Sequence, residues 1–390
     1  MFVLYFMVLG IAACGGNFIK LSIAGISFTY ITMAALCVSY FRYFVIKRGK
    51  IKLDKKTRAI IIFELYGVLM VLFSFLGINK HFISPDLYTS IVFIPRQAYY
   101  VVVLPALILM REEIYMKPLI NFLNKYGNLL FWIVYVIQIF VNKKFCISVS
   151  TVLVLAGLAL NTGRTNRTVR NIIKFFVIML TPVAVGGELT NIIIRLIYAS
   201  VFLFREHKQR IIKIMSLGFI CMIVAIYILP LFSTLFENVF DANSFWRLRY
   251  WRDELEQLMQ SHFLGVGYGT SYSTEGFVGQ LGNVVGGPFG ATAEYSTLDK
   301  LFVVGPHNSY IAIFFRLGLI GIVMFLYMLF SVNESIKRYS DDIFPVSIFL
   351  FFSSAVLIGV NVGLESPYYL LLFVFSVGTV IFEATVREKG

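Results

Sequence analysis

The sequence predicts an all-α, polytopic membrane helix bundle of about twelve transmembrane helices. Three observations predict it. Of the 390 residues, 58% are hydrophobic and only 14% charged, with a mean hydropathy of +0.81; soluble domains do not look like this. Apolar runs close to the length of a bilayer crossing recur along the chain, separated by short basic loops. Phe (39) and Tyr (22) are abundant, as in membrane segments and the aromatic belts at their ends.

The apolar runs cover residues 2–16, 24–46, 59–77, 89–110, 129–142, 146–163, 170–185, 187–204, 213–232, 307–331, 343–361 and 368–386. The first, fifth and seventh are short. Ile11-Ala12-Ala13-Cys14 faintly resembles a lipoprotein cleavage box. No Lys or Arg precedes it, and a signal peptide needs a basic leading segment, so it reads as the first membrane helix.

Net charge is +13, but the basic residues sit in short loops, the positive-inside pattern of a membrane protein rather than a nucleic-acid surface. The most basic loop, Lys47 to Arg58, is assigned to the cytoplasm. The loops around Lys117 and Lys125, Arg164 to Arg170, Arg205 to Lys213, and Lys337-Arg338 then fall on the same side, with both termini. Lys143-Lys144 is the exception. The long loop, 233–306, lands on the outer face between the ninth and tenth spans. It carries four basic residues against eight acidic ones, a sign reversal that supports the orientation. The chain thus divides into spans one to nine (1–232), the outer loop (233–306), and three further spans with a short cytoplasmic tail (307–390).

Within the loop, Asn243 or Ser244 suits the N-cap of a helix running to about residue 262. Phe245, Leu248, Trp251, Leu255, Leu258, Met259 and Phe263 form a broad apolar stripe that lies on the membrane or packs on the bundle. Gly265-Val266-Gly267-Tyr268-Gly269 ends the helix. Arg249 with Asp253 and Arg252 with Glu256 stand at i,i+4, the spacing of helix-surface ion pairs. Arg247 has Trp251 at i+4 and no acidic partner in register, which leaves its guanidinium for an anionic ligand. Arg249 fits either role.

Gly305-Pro306-His307-Asn308 opens the tenth apolar run. On one helix His307, Gly318 and Gly321 lie within roughly 60° of one another. The two glycines allow a neighbouring helix to approach closely. Near a helix N-terminus the macrodipole disfavours the imidazolium, leaving the neutral form that a general base requires. Asn308 either orients a ligand hydroxyl or caps the helix. Arg316 falls about 180° from His307 and outside that face.

His307-Asn308, a nine-residue spacer, Gly318, two residues and Gly321 resemble the motif of the O-antigen ligase and O-antigen polymerase superfamily. Arg247, three residues, Trp251, a short helix and the Gly265-x-Gly267 turn, in that order ahead of His-Asn, resemble it too. The resemblance implies a multi-pass enzyme of the bacterial inner membrane with its active face in the periplasm. It would transfer a glycan from an undecaprenyl pyrophosphate donor to an acceptor hydroxyl, with inversion. His307 would be the base, and Arg247, with Arg249 or Arg195, would bind the pyrophosphate. The expected partners are the lipid-linked glycan, an acceptor glycan or lipid A–core, membrane lipids, a chain-length regulator and a flippase. The motif does not separate polymerase from ligase. The chain shows no extra basic outer surface for a phosphorylated core, which favours polymerase.

Arg195, within an apolar span, otherwise pairs with Glu188 or Glu365. Glu365 itself falls on an outer turn. The stretch from Gly265 to Gly290 is a mobile cover over the sugars or a flexible linker. No acidic residue precedes Asp54, which disfavours membrane glycosyltransferases that use acids in the first outer loop. No nucleotide loop or metal-ligand spacing is visible, and Cys14, Cys37, Cys146 and Cys221 form no CxxC, so no cofactor, metal or disulfide framework is expected. A lipid-linked sugar flippase or transporter remains the reading from another class, sustained by Arg96, Arg195 and Arg316. The absence of an internal repeat weighs against it.

Overall fold

The computed structural model describes residues 53–108, 169–185, 189–204, 207–236, 242–277, 297–336 and 344–360 as continuous stretches, with scattered positions across 22–51, 125–136 and 364–378. The spans expected at 2–16 and 146–163 lie outside the described residues, as do most of those at 24–46, 129–142 and 368–386. So do both termini, Lys117, Lys143-Lys144, Arg164, Glu188 and residues 278–296.

The described residues are helical almost throughout. An exception is β1 (Ser22–Ile23) paired antiparallel with β2 (Ile26–Ser27), where a helical span was expected to begin. The β-branched Ile23 and Ile26 favour that extended backbone. Helix α1 (Lys55–Phe75) starts because the Asp54 carboxylate accepts from the Thr57 amide at 2.8 Å. It stops where Gly77 turns left-handed.

The run at 89–110, expected as one span, is two pieces, Ile91–Gln97 and Tyr99–Ile108, bent by 52°. They contain α2 (Ile94–Gln97) and α3 (Tyr99–Val103). Gln97, at the bend, spends its side chain on the outer loop instead of packing along a helix. Then come α4 (Val169–Val185), α5 (Leu189–Leu203), α6 (Lys208–Ile228), α7 (Ala242–Gln260), α8 (Thr297–Val303), α9 (Ser309–Ile336) and α10 (Phe344–Val360). Among the described residues three helices are long and apolar enough to cross a membrane: Lys55–Phe75, Lys208–Leu235 and Ser309–Glu334. Counting the bent pair as one span makes four.

α9 packs chiefly against α1 and α10, and α5 against α10. α1 and α9 run antiparallel. Lys55 meets Glu334 at 3.0 Å at one end, and the Tyr66 hydroxyl donates to the Leu317 carbonyl at 3.0 Å further along. The main core is aromatic and aliphatic, with Phe63, Tyr100, Leu317, Phe325 and Phe349 all buried. A second, smaller core of Leu87, Trp246, Tyr250, Val266, Tyr272, Val304 and Phe315 holds the outer loop together at the other end of α1.

Candidate functional site

The site is built by docking α7 and its following turn onto the first turns of α9. α7 ends in a Schellman arrangement: His262 N–H donates to Met259 O and Phe263 N–H to Leu258 O, both at 3.0 Å, with His262 in the left-handed region at φ 55°. The chain then meets α9. Val266 N–H donates to Phe315 O at 2.8 Å, Gly267 N–H to Arg316 O at 3.0 Å, and Leu319 N–H to Phe263 O at 2.9 Å.

These bonds are possible because α9 is broken at Gly318, with φ 67° and ψ −166°. Only glycine adopts that backbone readily, and the break releases carbonyls that a regular helix would use internally. Gly318 was expected to admit a neighbouring helix along an unbroken face. It instead admits loop backbone: a Cβ there would run into Phe263 O and Leu264. Gly321 is buried beyond the break, where a Cβ would meet the Leu317 side chain of its own helix.

The turn is pinned from α1 and α2 as well. Tyr268 N–H donates to Ser74 Oγ at 2.8 Å, and Asn79 Nδ2 to Val266 O at 3.0 Å. Gln97 Oε1 accepts from Gly269 N–H at 2.7 Å while its Nε2 donates to Thr270 O and Phe302 O. Residues 265–273 are therefore clamped in place as a joint, while the rest of the expected cover or linker beyond Phe277 lies outside the described residues.

His307 sits just outside α9, not in its first turn, with φ 53°. The cap is Asn308, whose Oδ1 accepts from Tyr310 N–H at 2.9 Å and Ile311 N–H at 3.2 Å. Its buried Nδ2 has no hydrogen-bond partner among the described residues. The His307 ring stands edge-on to Trp246, centroids 5.4 Å apart. Two neighbouring residues of α7 fix the segment before it: Tyr250 donates to Val304 O and Trp251 to Pro306 O, each at 2.5 Å. Burial, and secondarily the Arg247 guanidinium, push the His307 imidazole down to about 4. It is neutral at physiological pH, for these reasons more than because of a helix dipole.

Beneath this lies a buried charged group. Arg316 stacks on the Tyr272 ring, 4.0 Å from its centroid, and donates from Nη1 to Thr270 O at 2.7 Å and Gly267 O at 3.2 Å. Glu254 and Glu365 complete the group. Tyr272 donates its hydroxyl to Glu365. Burial pushes the Glu254 carboxyl well above the usual range, with Arg316 opposing, and pushes Glu365 up to about 8, with Arg96 opposing.

Arg247 and Arg249 do not share a face of α7. Arg247, Trp251, Glu254 and Leu258 face the α9 side, whereas Phe245, Arg249, Arg252 and Glu256 recur on the opposite face. That second face lines a pocket of about 590 Å³ together with Ser233, Thr234, Asp253, Thr274, Gly276 and Phe277. Arg252 pairs there with Glu256 at 2.7 Å, the expected i,i+4 bridge. Asp253 accepts from Ser273 Oγ at 3.2 Å, and burial raises its carboxyl to about 6. Arg195 is buried on α5, in a helix that packs mainly on α10.

His307 and Arg247 are thus brought together beside Trp246, with Asn308 capping α9, Gly318 at the joint further along that helix, Arg249 behind α7 and Arg195 in the bundle. Sequence reasoning missed Trp246, Gln97, Asn79 and the anchoring part of Arg316. For Trp246 a signal existed, since Trp246 and Tyr250 stand at i,i+4; for Gln97 and Asn79 none did. Among described residues no cluster of His, Cys, Asp or Glu could hold a metal. No curated protein matches the chain. A family model described as O-antigen ligase matches residues 174–326, from Lys174 in α4 into α9, taking in both linked motifs. This points to an enzyme of O-antigen ligase or polymerase type, and to a membrane protein. Over that segment, the chain is similar to the O-antigen ligase family.

Proposed function

We propose that this protein is a metal-independent, inverting glycosyltransferase of the bacterial inner membrane that polymerises lipid-linked repeat units. The observation that carries the reading is a neutral imidazole, His307, held against Trp246 and beside Arg247 at the rim of the helix bundle.

The acceptor hydroxyl attacks the anomeric carbon from the side opposite the leaving group. Its proton passes to the free imidazole nitrogen of His307. The bond between anomeric carbon and pyrophosphate oxygen breaks, and undecaprenyl pyrophosphate departs. The leaving group is already good, and Arg247 offsets its charge, so the step calls on no cofactor. Binding of that anion to Arg247 also offsets one of the two causes that hold the imidazole low, so the base strengthens as substrate arrives. Asn308 Nδ2, buried and with its carbonyl oxygen committed to the cap, is assigned a sugar hydroxyl. Arg195, on a helix that packs on α10, is left outside the site.

In this reading the loop 233–306 and the active face are periplasmic, spans 1–232 and 307–390 frame it, and both termini are cytoplasmic. The partners are the lipid-linked donor and an acceptor glycan, with a flippase and a chain-length regulator alongside. Ligation to lipid A–core is the second reading, and a flippase the third. A gel of surface and lipid-linked glycan tests all three, using a deletion strain complemented with wild type or His307→Ala. Single repeat units on core, without long chains, identify a polymerase. Bare core with long chains stranded on the carrier identifies a ligase. Full activity in His307→Ala refutes the base, which should be worth roughly 10²–10⁴-fold.

A further inference from the structure

The pocket behind α7 has the wrong charge for a pyrophosphate. Its two arginines, Arg249 and Arg252, are balanced by Asp253 and Glu256, and Arg252 is already held by Glu256 at 2.7 Å. A multiply charged anion would meet two carboxylates there. The lining is instead a mixture of groups: the hydroxyls of Ser233, Thr234 and Thr274, a carboxylate, a guanidinium, and two aromatic rings, Phe245 and Phe277. Carboxylates and guanidinium groups bond to vicinal hydroxyls, and ring faces pack on the C–H face of a pyranose. Orienting a neutral polyol takes such a set of donors and acceptors around apolar faces.

The pocket is also mechanically continuous with the proposed catalytic side. Phe277, on its wall, stacks on Tyr250 at 5.7 Å. Tyr250 adjoins Trp246 at 6.3 Å, and Trp246 meets His307 at 5.4 Å. Three ring contacts therefore separate the pocket from the base, a span that a few linked sugars cover.

We infer that the pocket lined by Arg249, Asp253, Phe245 and Phe277 binds sugar units of the glycan remote from the reacting carbon, and that Arg249 serves the glycan instead of the pyrophosphate. The inference rests on the glycosyltransferase reading for the identity of the glycan, but not on the part given to His307.

The test uses full-length protein in nanodiscs and the free repeat-unit oligosaccharide, released from the lipid-linked pool of the host strain by mild acid. Binding is measured by titration calorimetry, and transfer from the intact lipid-linked donor is measured in parallel. Wild type and His307→Ala should bind the oligosaccharide alike. Arg249→Gln and Asp253→Asn should each weaken binding by roughly tenfold, the loss of a charged hydrogen bond. Phe245→Leu, which keeps bulk but removes the ring, should weaken it too, so that misfolding of one charge variant does not decide the matter. Inorganic pyrophosphate should not displace the oligosaccharide. Equal binding by all pocket variants, displacement by pyrophosphate, or no binding by wild type would each overturn the assignment. Pocket-dependent binding without transfer would sink the enzyme reading and leave the pocket standing. Transfer that depends on His307 without pocket-dependent binding would do the reverse.

Discussion

Gly265 and Gly318 stand backbone against backbone: a methyl group on Gly265 would lie 2.5 Å from the Gly318 amide nitrogen. One glycine follows the Arg-Trp motif of the loop and the other follows His-Asn. The two motifs are therefore linked because they make one joint. Gly318→Ala adds a Cβ both to a backbone conformation reserved for glycine and to a position already filled by Phe263 O. It should cost about 3 kcal/mol or more of stability, read from unfolding in mixed micelles, and abolish transfer. A variant of wild-type stability would mean that the joint is not as tight as described.

Acidification should spare the free enzyme until the His307 imidazole titrates, at about 4. The acid limb of kcat/KM should therefore fall near pH 4, well below an ordinary histidine. Arg247→Gln removes a positive neighbour, so the limb of its residual activity should move up in pH. A wild-type limb at pH 6.5, or one that Arg247→Gln leaves in place, contradicts the burial and the neighbour respectively.

Arg316 opposes the burial that raises the Glu254 carboxyl and donates to Thr270 O and Gly267 O. Arg316→Met removes these bonds and leaves the two carbonyls without them, and should destabilise by about 1–3 kcal/mol. Arg316→Met with Glu254→Gln should cost less than the sum of the two single variants, because the guanidinium and the carboxyl act on each other. Additive effects in a double-mutant cycle would show that the two groups do not interact.

Glu365 titrates at about 8 in the folded protein against an ordinary 4.5. The folded state holds the proton more tightly, so this stabilisation is full below about 4.5 and is lost as pH rises through 8. Glu365→Gln keeps the shape of the protonated acid and removes the titration. Between pH 5 and 8.5 wild type should lose stability relative to this variant; a constant difference across that range would refute the raised value.

Much of this was legible in the sequence. The amphipathic helix expected over 244–262 is α7 (Ala242–Gln260), and the runs at 170–185, 187–204 and 343–361 match α4, α5 and α10 within a few residues. The opposition of Arg247 and Arg249 was readable too, since two residues are about 200° on a helix. The break at Gly318 was not, because a helical wheel assumes an unbroken helix. Nor were the clamps from Asn79 and Gln97, which are 187 and 172 residues from the atoms they hold. Contacts at such separation leave no local pattern.

The ion pair of Lys55 with Glu334 and the bond of Tyr268 to Ser74 fasten α1 at its two ends. Helix α1 is 21 residues long, which is roughly 30 Å, the thickness of a bilayer core. It therefore acts as a ruler between those two fastenings. Shortening it by a turn would force one of them to give: either Lys55 would leave Glu334, or Ser74 would leave the Tyr268 amide and the joint would lose a clamp.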